Sequence, residues 1–528
     1  MVKRVSIAGT AILLASTFLV PLAAAADPGN GKGNGPDVAP AVQSDTSPPL
    51  RDIPNTNDRG LKLHPNRKIP IPSQPNQADG AVQVTAGPRI SSTAGLSYPG
   101  VGNGDYGFSV NSAPPDPNLA VGATQVVQIV NSAFAVFAKS TGAIVAGFPK
   151  ATNTLWVGFG GGCETNNDGD AIVKYDQAAG RWVITQFSVT TTPYLQCVAV
   201  STSSDATGSY YRYAFSYGTA FNDYVKMSVW PDAYYLTFNI FNSNTFAGAR
   251  ACAYDRTAML SGAPATQQCF QLSPSYGGVL PSDLDGSIAP AAGSPNYLVN
   301  FGTNALNLWK FHVDFTTPAN SNLSGPTSIP VAAFTSACGG GTCIPQPGTR
   351  QQLDSLADRL MYRLAYRKFA DGHEALVVNH SVKVSGSRKG EVDGIRWYEL
   401  RSPGSTPTVY QQGTFSPDTT SRWMGSMGMD KLGNIAVGYS ASSGSVYPSL
   451  RYTGRVPTDP LGNLQSENII LAGTGSQQGS NLARWGDYSA IAIDPVDDCT
   501  FYYTNEYMKV NGAFNWSTQI ASFKLPGC

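Results

Sequence analysis

The stretch RWGDYSAIAIDPVDDCTFYYTNEY, residues 484–507, decides the fold. Its first part alternates small or apolar residues with others, and its last part, CTFYYTNEY, is aromatic and β-branched, which is typical of strands. The segment between them, residues 494–498, is rich in turn-forming residues. A similar unit, NDYVKMSVWPDAYYLTFNIF, lies at residues 222–241. This repeat predicts pairs of strands arranged around a single axis.

Further strand patterns recur at intervals of roughly fifty to seventy residues, which leaves room for four strands and their connections. The residues at which these units begin are Asp116, Asp170, Asp223, Asp285, Asp358, Trp423 and Asp487. We therefore predict an all-β protein, a seven-bladed β-propeller of four-stranded antiparallel sheets over residues 98–528. A pair of β-sandwiches is the alternative, because short strands occur in both architectures. Residues 351–367 have helix-like leucine spacing, but the alternation of Tyr362, Leu364 and Tyr366 favours a strand.

The N-terminal region has two parts. Residues 1–26 resemble a secretory signal peptide, with basic residues, an apolar run and small residues before Asp27. An uncleaved anchor is the alternative. Residues 27–97 are polar and rich in Pro, Gly and Asn, which predicts a linker or pro-segment that is disordered or draped on the domain.

The composition excludes some classes of function. The chain has 528 residues, of which 42% are apolar and 13% charged, and its formal net charge is zero. It can bury a large core, but it offers no basic field for nucleic acid. No second long apolar run follows the signal, so we expect no membrane span after cleavage. The expected location is extracellular or periplasmic.

All eight cysteines lie in the part predicted to be exported, and an even number in such a chain indicates disulfide bonds. Cys252–Cys269 and Cys338–Cys343 are natural local pairs. Cys499–Cys528 would tie the last sheet to the terminal residue, and Cys163–Cys197 remains by exclusion.

Several long motifs carry a resemblance to known proteins. They are PPDPNLAVG, NTLWVGFGGGCETNNDGDAIVKYD, YVKMSVWPDAYY, RWMGSMGMD and the stretch at residues 484–507. Together they resemble a group of exported bacterial β-propeller proteins over residues 114–528. The resemblance implies the fold and export, and it implies no catalytic residues.

A propeller would gather the aspartates that begin each unit into a ring at one end of its channel. Gathered carboxylates raise one another's pKa or bind a cation. Asp223, Asp487 and Asp358 are therefore candidates for acid–base catalysis, and Ca²⁺ is a candidate ligand. The structural alternative is that each aspartate caps backbone N–H groups where its strand begins.

Arginines and tryptophans accompany these aspartates. The candidate binding residues are Arg359, Arg422, Trp423, Arg484 and Trp485. An arginine beside an aromatic ring can bind a carboxylate and present a surface for stacking a sugar, which would suit an acidic glycan. Alternatively, each arginine neutralises an aspartate and each tryptophan packs between sheets.

Two further sets of residues are candidates. His380 could act as a base in β-elimination of a uronic acid, although its place among alternating apolar residues also fits a structural role. Glu164, Asp168 and Asp170 lie in CETNNDGD, where closely spaced oxygen ligands could hold Ca²⁺. A turn held by a disulfide is the alternative.

These observations favour a secreted propeller that binds or processes an extracellular polysaccharide at its channel mouth. A non-catalytic secreted scaffold for a protein or cell-surface polymer is the alternative, because propellers carry many unrelated functions. The sequence leaves open whether the protein is an enzyme.

Overall fold

The computed structural model of the protein describes residues 35–56, 61–64, 67–74, 77–83, 87–387 and 390–528. This part is nearly all-β, as the sequence predicted. Its helical segments are Leu50–Asp52, Asp105–Gly107, Thr152–Trp156, Gly161–Thr165, Arg256–Ser261, Pro318–Asn320 and Ala337–Gly340. None of the helices in these ranges is long and apolar enough to cross a membrane. The predicted signal peptide lies outside the described residues.

Most strands fall into successive groups of four antiparallel strands, which we call sheets A to G along the chain. Strands added at their edges, and pairing between two of the groups, give sheets of four, five and nine strands. The strands of each sheet are given from first to fourth. Sheet A has Asn118–Val121, Gln125–Val130, Ala133–Ala138 and Lys150–Ala151, and sheet B has Ile172–Asp176, Arg181–Ser188, Tyr194–Ser201 and Tyr210–Gly218. Sheet C has Ala220–Val229, Tyr234–Asn242, Thr245–Tyr254 and Thr266–Gln271, and sheet D has Leu280–Asp285, Asn296–Gly302, Ala305–His312 and Asn322–Pro330. Sheet E has Met361–Lys368, Glu374–Ser385, Val392–Arg401 and Thr408–Phe415, and sheet F has Ser421–Met429, Ile435–Ser442, Ser449–Arg455 and Asn468–Leu471. Sheet G has Ala490–Ile493, Phe501–Met508, Trp516–Lys524 and, as its fourth strand, Thr93–Pro99. A small additional sheet pairs Thr342–Ile344 with Leu353–Asp354.

The first strands of these sheets form a closed cycle of neighbours. Each contacts the first strand of the sheet before it and of the sheet after it, and the first strand of sheet G contacts that of sheet A. Sheets D and E are also hydrogen-bonded to each other, because Leu280–Asp285 pairs in parallel with Met361–Lys368. The first strands therefore surround one axis. We call the end at which they begin the mouth.

Large aromatic side chains fill the space between neighbouring sheets. Trp182, Trp230, Trp423, Trp485 and Trp516 are fully buried. Trp423 of sheet F packs against Trp485, which precedes sheet G, with 5.9 Å between ring centroids. Burial of rings of this size supplies much of the apolar area that holds such sheets together.

The N-terminal segment completes several sheets. Asp37–Pro40 pairs with the fourth strand of sheet C, and Gln43–Thr46 with the fourth strand of sheet B. Lys62–Leu63 pairs with Ser112–Ala113, and Val82–Gln83 with the fourth strand of sheet E. Of the two predicted alternatives, a disordered segment and one draped on the domain, the second fits the described part of this segment, because its backbone satisfies open sheet edges. The outer strand of sheet G also begins at Thr93, before the predicted boundary at residue 98.

All four predicted disulfides are present and are confirmed: Cys163–Cys197, Cys252–Cys269, Cys338–Cys343 and Cys499–Cys528. Cys252 and Cys269 face each other directly on the third and fourth strands of sheet C. No described cysteine is free. Such a set of bonds fits an oxidising compartment.

Candidate functional site

A cavity of about 270 Å³ lies at the mouth. Its lining residues are Lys62, His64, Arg67, Asp168, Asp170, Phe187, Val189, Thr190, Phe221, Asp223, Tyr224, Arg359, Arg484 and Asp487. The structure thus brings together six of the predicted residues: Asp168, Asp170, Asp223, Arg359, Arg484 and Asp487. The cavity is rich in both signs of charge and has aromatic rings in its wall.

Two of the aspartates cap the backbone of neighbouring sheets. Asp116 accepts a hydrogen bond from the Asp487 N–H at 2.5 Å, and Asp170 accepts one from the Tyr224 N–H at 3.0 Å. Asn131 links the two, because its amide donates to Asp116 at 2.7 Å and accepts from the Asp170 N–H at 2.9 Å. The structural alternative, backbone capping, therefore holds for Asp116 and Asp170.

The carboxylate of Asp223 is different. It lines the cavity, and within the described chain it has no hydrogen-bond partner. The pairing of sheet C is interrupted between Asp223 and Lys226, and Tyr224 has a φ of 55°. Such an irregularity re-aims a side chain at the edge of a sheet. Burial, and then the nearby charge of Asp170, raise the pKa of Asp223 to about 7.

Two arginines at the mouth hold carboxylates. Arg484 binds Asp487 at 2.5 Å and donates from Nε to the His64 carbonyl oxygen at 3.1 Å. Arg359 binds Asp358 with two hydrogen bonds, at 2.6 and 3.0 Å, and its guanidinium lies 4.2 Å from the centre of the Tyr224 ring. Asp487 and Asp358 are thus paired carboxylates, whereas Asp223 is not.

A buried lysine lies below the cavity. The Lys226 ammonium is 3.4 Å from the centre of the Tyr224 ring and 4.0 Å from that of Tyr488. Burial lowers its pKa to about 7, although Asp170 and Asp487 act in the opposite direction. This cation is held by aromatic faces and by one hydrogen bond to the Val225 carbonyl oxygen.

The N-terminal segment supplies three lining residues that the sequence analysis missed. Arg67 lies 4.0 Å from the centre of the Phe221 ring and donates to the Asn244 side chain at 3.3 Å. Lys62 donates to the Asn167 carbonyl oxygen at 2.6 Å. His64 lies beside Gly169, where a φ of 101° and the nearby Asn131 side chain leave no room for a Cβ. The only signal for these residues was positive charge in a Pro-rich segment.

His64 is a polar group available to a ligand. Its Nε2 is buried and lacks a partner within the ranges that the structure covers. Burial lowers the pKa of His64, and Arg484 lowers it further, whereas Asp170 raises it. The ring is therefore neutral near neutral pH and can accept a proton.

Arg422, Trp423 and Trp485 do not belong to this cavity. The Arg422 side chain is fully buried and is bound by Glu467, at 2.9 Å for each of two hydrogen bonds, and by Asp418 at 3.0 Å. Both tryptophan rings are fully buried. The prediction of an exposed indole at the mouth is thus corrected, because each ring fills space between sheets. Likewise, Asp285 ends the first strand of sheet D instead of preceding it.

His380 also lies away from the mouth. Its Nε2 is 2.9 Å from the Tyr398 hydroxyl, and its ring packs on Phe301 and Phe334. Burial lowers the pKa of His380 well below its usual value, with a further contribution from Arg396. The structural interpretation of His380 fits these contacts, because the ring has no exposed surface.

The predicted calcium ligands bind separate groups of the protein. Glu164 accepts hydrogen bonds from the Gly158 and Gly160 N–H groups, and Asp168 accepts them from the Val189 and Thr190 N–H groups. In the described ranges, the one cluster with the spacing of a metal site is Cys338, Cys343, Glu391 and Asp393, and its cysteines are bonded to each other. The turn at residues 163–170 is therefore explained by its own hydrogen bonds.

No family model matches the sequence, and no curated protein matches it. Solved structures with similar arrangements include an α-L-arabinanase from Penicillium chrysogenum in complex with arabinobiose (9% identity, TM-score 0.34, covering 82% of this chain and 99% of that chain). Others are a PL25 ulvan lyase (12%, 0.33, 83% and 96%) and an exo-β-1,3-galactanase from Clostridium thermocellum (11%, 0.32, 67% and 81%). TM-scores this low carry no information on the activity of this chain, so function has to be argued from the mouth itself.

Proposed function

We propose that the protein is an exported seven-bladed β-propeller that processes an extracellular glycan at its mouth. Each of sheets A to G would be one blade, over residues 98–528 with the outer strand from Thr93 added. The closed cycle of first strands supports this architecture. The disulfides and the signal-like N-terminus support export.

One observation carries the functional proposal: an unpaired carboxylate with a raised pKa shares a cavity with a paired one. Asp223 has a pKa raised to about 7 and so keeps its proton at pH values below about 7. Asp487 forms an ion pair with Arg484, with 2.5 Å between the two charged groups. Glycosidases need one carboxyl group as acid and another as base or nucleophile. We assign Asp223 as the acid and Asp487 as the second carboxylate.

The remaining walls fit a sugar chain. Phe187, Phe221 and Tyr224 offer ring surface, and Arg67 and Arg359 offer hydrogen-bond donors. Aromatic faces pack against the C–H groups of sugars, while arginine donors bind hydroxyl or carboxylate oxygens. The cations at the mouth favour a glycan that carries carboxylates. His64 adds a neutral base on the N-terminal segment.

The experiment is a screen of purified protein against neutral and uronate-containing polysaccharides, in which activity is measured as the release of reducing ends. Asp223→Asn should abolish at least about 99% of the activity, because general acid catalysis contributes about 10²-fold or more. Asp232→Asn is the matched control. Asp232 follows the other end of the same strand, and burial raises its pKa to about 6, but it lies outside the cavity. It should leave the activity unchanged.

Two outcomes would count against this function. Equal activity of Asp223→Asn and the parent protein would remove Asp223 as the acid. Binding of a polysaccharide without release of reducing ends, retained in Asp223→Asn, would favour the non-catalytic scaffold.

A further inference from the structure

A second cavity, of about 320 Å³, lies between sheets E and F at the end opposite the mouth. We call it the E–F groove. Its lining residues are Phe369, Ala370, Asp371, His373, Glu399, Arg401, Tyr410, Met429, Lys431, Leu432, Gly433, Arg455 and Pro457. It shares no residue with the cavity at the mouth.

Three permanent cations line the E–F groove. Arg401 binds Glu399 at 2.7 Å, whereas Lys431 donates to the Asp497 carbonyl oxygen at 2.9 Å and Arg455 to the Asp459 carbonyl oxygen at 2.7 Å. Of the lining carboxylates, Glu399 is thus bound to Arg401 and Asp371 to His373, at 2.6 Å. The positive charges of Lys431 and Arg455 have no carboxylate bound to them among the described residues.

Arg455 is the most informative of these groups. It is only 2% exposed, and its Nε has no hydrogen-bond partner in the part of the chain that the structure describes. Burial lowers the pKa of Arg455, and the nearby Asp459 and Glu399 offset this only in part. By contrast, bound carboxylates outweigh burial at Arg422 and raise its pKa. A buried guanidinium normally binds an anion directly, whereas Arg455 donates to a backbone carbonyl oxygen and forms no ion pair with a carboxylate in the described part of the chain.

The other walls of the E–F groove suit a ring-shaped polar ligand. The Tyr410 ring is 41% exposed and carries the Arg401 guanidinium at 3.4 Å from its centre. The Phe369 and His373 rings are stacked at 4.2 Å. Aromatic surface next to cations is the combination that holds an anionic sugar, because the sugar ring packs on an aromatic face while the arginines bind the anion.

We propose that the E–F groove is a binding site for a sugar residue that carries a carboxylate or a sulfate. Arg455 and Arg401 bind the anionic group, Lys431 adds charge, and the exposed side chain of Tyr410 contacts the sugar ring. The site is separate from the mouth and does not depend on any reaction there.

The test uses glucuronate and galactose 6-sulfate as anionic probes, glucose as the neutral probe and inorganic sulfate as the anion without a ring. Binding is followed by calorimetry and by NMR of the histidine rings, since the chain has only four histidines. We expect at least one anionic sugar to bind and to shift the signals of His373, while glucose does not. Arg401→Gln and Arg455→Gln should each weaken this binding by about tenfold or more.

Controls separate this site from the mouth and from loss of stability. Arg51→Gln changes an exposed arginine paired with Asp205 elsewhere on the protein, and it should bind the probes as the parent does. The signals of His64 report separately on binding at the mouth. If Arg455→Gln does not fold, the binding measured with Arg401→Gln tests the proposal, because the Arg401 side chain is 32% exposed and its replacement should be tolerated.

Three results would overturn the proposal. The first is that neither anionic sugar binds. The second is that the sugars shift the NMR signals of His64 and not those of His373, and the third is that Arg401→Gln binds them with the affinity of the parent protein. Binding of inorganic sulfate as tight as that of galactose 6-sulfate would overturn the sugar specificity.

Discussion

The two ends of the cycle of first strands differ in how their charged side chains are paired. At the mouth, Asp223 and the His64 Nε2 have no hydrogen-bond partner among the described residues. At the opposite end, Lys174 binds Asp283 at 2.5 Å and Arg363 binds Asp283 at 2.8 Å. Arg363 also binds Asp285, and Arg367 binds Asp498 through two hydrogen bonds.

The same burial has opposite consequences at these two ends. Burial alone would raise the pKa of Asp283, but Lys174 and Arg363 outweigh it and lower the pKa below its usual value. At Asp223, burial and Asp170 raise the pKa to about 7, because the opposing effect of Arg359 is smaller. Carboxylates that are fully paired hold the structure together, and an unpaired carboxylate that faces a cavity is available for chemistry.

The largest expected effect is a loss of stability at the end opposite the mouth, where the charged side chains are paired. Arg363→Ala should lower the free energy of unfolding by about 3–5 kcal/mol, because it leaves Asp283 and Asp285 without this partner in a buried site. Chemical denaturation measures the loss. Arg51→Ala, at an exposed ion pair, should change stability by less than about 1 kcal/mol. A similarly small loss for Arg363→Ala would show that this network contributes little.

The next effect concerns the arginine that the sequence placed at the mouth. Arg422→Ala should lower the free energy of unfolding by about 2–4 kcal/mol, since Glu467 and Asp418 lose their shared partner while Arg451 still binds Glu467. Affinity for any glycan that binds at the mouth should stay unchanged. If Arg422→Ala instead lowered the affinity for glycan and kept the melting temperature of the parent protein, Arg422 would belong to the binding site after all.

Asp223→Asn should have a smaller effect on stability, with the opposite sign. Asp223 loses its proton near pH 3.8 when unfolded and near 7 when folded, so the folded state holds more protons between these values. The contribution of Asp223 to stability is therefore full below about pH 3.8 and falls as pH rises towards 7. We expect the variant to be more stable than the parent by about 1 kcal/mol at pH 8 and to gain nothing at pH 4. Urea unfolding at both pH values measures this difference; a variant less stable at pH 8 would contradict it.

The smallest effect is expected from calcium. Because Glu164 and Asp168 already accept hydrogen bonds from backbone N–H groups, adding Ca²⁺ or a chelator should leave the melting temperature within about 1 °C of its starting value. Calorimetric melting with each addition measures it. A rise with Ca²⁺ that is lost in Asp168→Asn would restore the predicted ion site.

Much of this structure could be predicted from local sequence. Alternating residues and turn formers located the strands. Cysteine spacing gave two of the disulfides, Cys252–Cys269 and Cys338–Cys343, and the terminal position of Cys528 and exclusion gave the other two. The aspartates before the first strands pointed to the mouth, where Asp223 and Asp487 do meet. These features depend on residues close together in the chain.

The errors concern contacts over long distances in the sequence. The Arg-Trp motif at Arg422 looks the same as that at Arg484, but the Arg422 side chain binds Asp418 and Glu467. The Arg484 side chain binds Asp487 instead and lines the mouth. His64 was missed because its place depends on the pairing of Lys62–Leu63 with Ser112–Ala113, which no local pattern encodes.

The most direct test of the difference between the two ends is the pKa of the Asp223 carboxyl group, measured by carbon-13 NMR with Asp223→Asn for assignment. The partnering of charges at the mouth predicts a titration midpoint of about 7. It also predicts a lower midpoint in Asp170→Asn, which removes the nearby negative charge. A midpoint near 3.8, the ordinary value for aspartate, would contradict this account. It would indicate that the charged residues at the mouth have a structural role, like those at the opposite end.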